Sequence, residues 1–122
     1  MAKKVNFFSN NAETNEKNSN QHLQSRYYRN SYSQIKNSIL NYAKEKKLNP
    51  TNIDDIHKEI LLQGKNYHLI ITILQITPLE TSVDIKVEYY AIFGYNRPIK
   101  RIVEIQEYLD KKLQFKGVGL HP

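Results

Sequence analysis

His57 stands among three carboxylates in the stretch Asp54-Asp55-Ile56-His57-Lys58-Glu59. Imidazole nitrogen and carboxylate oxygen together are ligand types that hold a divalent ion. Side chains alternate faces along a strand, so Asp55, His57 and Glu59 would share one face there. Asp54 and Asp55 would then point apart, which separates them as partners for acid–base work. The same residues also read as a polar edge leading into a strand. His22, His68 and His121 are scattered, and no two histidines have the i,i+4 spacing with which one helix face grips zinc. No metal and no cofactor are expected.

Other reactive groups are equally sparse. The chain has no cysteine, which removes thiol catalysis, disulfides and cysteine-ligated zinc. Gly64, Gly94, Gly117 and Gly119 form no phosphate-cradling loop. No serine sits in a nucleophile motif. The sequence points away from an enzyme.

Binding chemistry is better represented. The run Arg26-Tyr27-Tyr28-Arg29, followed by Tyr32, interleaves guanidinium groups with phenol rings. Bases of a single-stranded nucleic acid stack on such rings while arginines meet its phosphates. Tyr28 and Tyr32 also belong to an apolar stripe, which leaves Arg26, Tyr27 and Arg29 for binding. A second set, Tyr95, Arg97, Lys100 and Arg101, lies where a helix is expected to begin. Positive charge there opposes the helix dipole. Three basic groups in that place suit an anion, towards which the first backbone N–H groups also point. Ordinary solvated surface charge is the competing reading.

The elements that must position these residues follow from periodicity. Tyr28, Tyr32, Ile35, Ile39 and Tyr42 are spaced four, three, four and three apart, one helical face, with the helix stopping at Asn49-Pro50. Ile99, Ile102, Val103, Leu109 and Leu113 make a second helical stripe behind Pro98, with Gly117 ending that element. Residues 51–63 fit either a capped helix from Thr51 to Gly64 or a strand over 57–63. The strand is preferred, because the next segment needs a neighbour on each edge. In that segment, 67–76, Leu69, Ile71 and Ile73 face one way while Ile70, Leu74 and Ile76 fill the other. Residues 83–93 alternate cleanly, with Asp84, Lys86, Glu88 and Tyr90 on the wet face, after a turn at Thr77-Pro78-Leu79-Glu80-Thr81-Ser82. The expected fold is α+β in two layers: helix, three-stranded antiparallel meander, helix, with both helices on one face.

Residues 1–24 are rich in Asn, Glu, Ser and Lys, and lack apolar periodicity. They read as a disordered polar tail, with Val5, Phe7 and Phe8 beside Lys3 and Lys4 as a short docking peptide. Residues 25–122 then make one domain, in keeping with a length of 122. The formal charge is +6, with the excess at the two ends. No apolar run reaches the ~20 residues of a membrane span, and the start lacks a signal-peptide core. A cytoplasmic protein is expected. Its function reads as a non-enzymatic interaction module: an adaptor, regulator or assembly subunit. Its partner is another protein or another copy of itself, a homo-oligomer packed sheet on sheet through Ile70, Leu74 and Ile76. The alternative is a nucleic-acid-binding protein that uses Arg26, Tyr27, Arg29, Arg97, Lys100 and Arg101.

Overall fold

The computed structural model describes residues 11–20, 23–90 and 97–121. Among these residues, seven strands form one antiparallel sheet and two helices cover one of its faces. The expected meander accounts for its centre only: β4 (Glu59–Gln63), β5 (Tyr67–Thr77) and β6 (Glu80–Tyr89). β3 (Asn49–Asp54) adds an edge beside β4. β2 (Arg26–Tyr28) and β7 (Phe115–Val118) extend the sheet beyond β6, giving the order β3-β4-β5-β6-β2-β7. β1 (Asn11–Glu13) also lies against β6. The three-stranded architecture is therefore corrected to a seven-stranded sheet. The additions are short or polar strands, which lack an alternating pattern of their own.

β1 and β2 share one edge of β6. Asn11 to Glu13 pair with Glu88 to Lys86, and Arg26 to Tyr28 pair with Val83 to Thr81. The chain between them leaves the sheet. At the junction the Thr14 amide donates to the Ile85 carbonyl oxygen at 2.9 Å, and the Ile85 amide donates to Thr14 Oγ1 at 2.9 Å. A hydroxyl thus stands in for a ladder carbonyl. Within the stretch expected as a tail, the described residues Asn11–Glu13 form β1, and Thr14 and Leu23 are buried. Residues 1–10, including Val5, Phe7 and Phe8, lie outside the described residues.

α1 (Tyr32–Lys46) begins at a capping box, in which the Gln34 amide donates to Ser31 Oγ and the Ser31 amide donates to Gln34 Oε1. That start places Tyr28, expected on the helical stripe, in β2 instead, where it is still fully buried. The helix ends at Lys47 in the left-handed conformation, before Asn49-Pro50, which opens β3. α2 (Arg97–Lys112) carries Pro98 in its first turn and buries Ile102, Ile105 and Leu109. Gly117, expected at a helix end, lies in β7.

The core sits between the helices and one sheet face, filled by Leu69, Ile71 and Ile73 of β5 and Val83, Ile85 and Val87 of β6. The β5–β6 connection is a turn at Pro78-Leu79 followed directly by β6, shorter than the expected six-residue loop. Residues 91–93 of the expected strand lie outside the described residues. No helix among the described residues is long and apolar enough to cross a membrane.

Candidate interaction surfaces

The face of the sheet away from the helices can be built row by row from the strand register. Gln63, His68, Glu88 and Asn11 form one row. Leu61, Ile70, Lys86 and Glu13 form the next, then Glu59, Thr72 and Asp84, then Leu74, Ser82 and Tyr27. Ile70 is half-buried, whereas Leu74 is 57% and Ile76 41% exposed. Leu79, in the adjoining turn, is 67% exposed. Ile70 and Leu74 thus fall on the uncovered face, while Ile76, at the register shift between Gln75 and Thr77, is exposed near the hairpin end with Leu79.

Charge on this face is lopsided. Glu13, Glu59, Asp84 and Glu88 stand around Lys86, and Glu13, Glu59, Asp84 and Lys86 line a shallow depression with Ile70 and Thr72. Burial pushes the Asp84 carboxyl above its usual range, against hydrogen bonds that favour the carboxylate. Those bonds come from Thr14 Oγ1 at 2.6 Å and Ser25 Oγ at 2.7 Å.

Beside Leu74 the face is covered by the chain itself. Tyr27 is buried, its hydroxyl donates to Glu16 at 2.7 Å, and its ring lies 5.4 Å from the His121 ring. Burial first, and Glu16 second, push this phenol above its ordinary range. His121 Nε2 lies 2.6 Å from Glu80 Oε2, and Lys116 Nζ lies 3.3 Å from the other Glu80 oxygen. The hydrogen bond from His121 holds the Glu80 carboxyl below its usual range, with Lys116 adding to it.

The six anion-binding candidates divide. Arg26 reaches Asp110 at 2.5 Å and lies over the Phe115 ring at 4.3 Å. With Tyr27 buried as well, both are engaged inside the fold. Arg29 is exposed beyond β2. Arg97, Lys100 and Arg101 converge with Tyr89 and Glu104 on one depression of about 190 Å³. Arg97 lies over the Tyr89 ring at 4.9 Å and Arg101 over the Tyr67 ring at 4.5 Å. Arg101 also donates to Glu104 Oε1 at 2.7 Å and to the Tyr89 hydroxyl at 3.3 and 3.4 Å. Sequence periodicity missed the tyrosine support, because Tyr67 and Tyr89 become neighbours only through strand register, with rings 5.0 Å apart. Tyr95 lies outside the described residues.

The acidic cluster around His57 is dispersed. Asp54 accepts from the Ile56 and His57 amides, and its second oxygen lies 2.8 Å from His57 Nδ1. That contact raises the imidazole pKa. Asp55 accepts from the Tyr32 hydroxyl at 2.6 Å and from Lys36. Glu59 is on β4. Asp55 and His57 occupy the β3–β4 turn, so the shared strand face expected of Asp55, His57 and Glu59 does not form. No protein-family model matches the chain, and neither a curated protein nor a solved structure resembles it significantly.

Proposed function

We propose that this chain is a non-enzymatic protein-interaction module that docks a partner polypeptide on its open sheet face. The observation that carries this reading is the exposure of Leu74, Ile76 and Leu79 together at the β5–β6 hairpin end. Exposed apolar groups gathered in one place mark contact surfaces. Each such side chain contributes roughly 1.5–3 kcal/mol when fully buried, so three offset a useful part of the cost of association. The neighbouring charge selects the partner. Glu13, Glu59, Asp84 and Glu88 outnumber Lys86, so a surface with lysine or arginine around apolar residues is complementary. A second copy packed sheet on sheet would set these carboxylates against one another.

The test compares wild type with Leu74→Lys in affinity capture and light scattering. Capture of a polypeptide that mass spectrometry identifies, that salt elutes and that the folded variant loses is the expected result. A concentration-dependent dimer lost in the variant would install a second copy as the occupant. Identical capture by both proteins, or salt-sensitive binding of a random oligonucleotide unaffected by the substitution, would overturn the reading. Unfolding of the variant would place Leu74 in the core and remove the patch.

A further inference from the structure

We propose that the depression formed by Tyr89, Arg97, Lys100 and Arg101 binds a phosphate monoester dianion. The site lies on the helix side of the sheet and is independent of the open-face reading. It is assembled by three elements. Tyr67 and Tyr89 are register partners on β5 and β6, and α2 lays Arg97, Lys100 and Arg101 across them at i, i+3 and i+4. Like charges at that spacing repel and weaken a helix. The first turn of α2 holds no acidic residue to relieve them. A bound dianion offsets that repulsion.

The guanidinium groups are held in place before any ligand arrives. Arg97 rests on the Tyr89 ring. Arg101 is fixed by the Tyr67 ring, by the Tyr89 hydroxyl and by Glu104. Planar guanidinium forks match phosphoryl oxygens two at a time, and little side-chain entropy is lost when they are already fixed. Glu104 is the carboxylate that lines the depression. Its Oε1 accepts from Arg101, and its Oε2 lies 3.0 Å from Lys46 Nζ. Burial alone would raise the Glu104 carboxyl, but Lys46 and Arg101 hold it below its usual range. Among the described residues that line the depression, one carboxylate, shared with Lys46, stands against three basic side chains.

Isolation from further cations favours a single phosphoryl group over a nucleic-acid backbone. The depression has a volume of about 190 Å³. A nucleic-acid strand needs a track of cations. Arg26, the next candidate, is paired with Asp110, about 14 Å further along α2 at ~1.5 Å per residue.

The test uses inorganic phosphate, a short phosphoserine peptide and single-stranded DNA at constant ionic strength, against chloride. Amide and Arg Nε shifts are followed by nuclear magnetic resonance. Saturable shifts at Arg97, Lys100 and Arg101, and a raised thermal midpoint in phosphate, are expected. Arg97→Gln/Lys100→Gln leaves the contacts of Arg101 with Glu104 and the tyrosines in place, and should weaken phosphate binding at least tenfold. Arg101→Lys keeps the charge but loses the contacts with Tyr89 and Glu104 that fix the side chain, and should also weaken binding. Tighter binding of the peptide assigns the site to a phosphorylated partner, and equal binding to free phosphate; both support the site. Equal shifts in chloride and in phosphate, or DNA binding that exceeds phosphate and extends to Arg29, would overturn it.

Discussion

Glu80 shows how one side chain ties an interior strand to the sheet edge beyond β2. It begins β6, yet its carboxylate meets Lys116 of β7 and His121 beyond it. The hydrogen bond from His121, supported by Lys116, depresses the Glu80 pKa in the folded state. A depressed carboxyl pKa means that the unfolded chain binds the proton more tightly. The stabilisation is therefore present above the unfolded value of about 4.3 and is lost as pH falls through the lower folded value. Glu80→Gln should reduce stability at neutral pH and remove this part of the acid-side loss. Urea unfolding of both proteins between neutral and acid pH checks it; parallel curves would mean that the His121 contact contributes nothing. Thr14 makes the same point from another direction. Its hydroxyl serves both the Ile85 amide and the Asp84 carboxylate, a role that no local pattern around Thr14 announces.

Among the elements, α1 owes its start to a local device and its burial to a distant one. The Ser31–Gln34 box fixes the first turn, while Ile35, Ile39 and Tyr42 pack into the core. Ser31→Ala removes the acceptor for the Gln34 amide and should cost about 0.5–2 kcal/mol without altering the sheet, measured by chemical denaturation with the circular dichroism spectrum as control. No change would mean that tertiary packing alone sets the helix start. β3 illustrates the opposite case. Its residues are largely exposed, it contains Pro50, and a register shift separates Pro50 from Asn52. Such an edge suits a strand that pairs with β4 and discourages further pairing outside.

At the scale of the molecule, residues 11–16 pack against the sheet. β1 lines β6, Thr14 completes its ladder, and Glu16 accepts from Tyr27 and from the His121 amide. Deleting residues 1–20 should lower the thermal midpoint by several degrees, because a loss of ~1 kcal/mol moves a small domain by about 4–8 °C. An unchanged midpoint would mean that these contacts add no net stability and would restore the reading of residues 1–24 as a tail. The same deletion removes the cover from Tyr27, so its effect should reach the signals of His121 and Lys116 at the far end of the chain.

The residues 67–76 and 83–89 declared themselves in the sequence, because apolar alternation over many positions is a local record of a strand with a buried face. The stripes Ile35, Ile39, Tyr42 and Ile102, Leu109 declared both helices in the same way. The doubled apolar pattern also marked Leu74 and Ile76 as residues with no helix to cover them. β1, β2, β3 and β7 left no such record. Asn11–Glu13 and Asn49–Asp54 are mostly exposed polar residues, and Arg26–Tyr28 mixes a charge with two rings. They are strands because the edges of β6, β4 and β2 offer hydrogen bonds, a long-range fact that their own composition does not encode. The basic pocket follows the same division: spacing placed Arg97, Lys100 and Arg101 on one helical face, but only strand register brought Tyr67 and Tyr89 beneath them to hold the guanidinium planes.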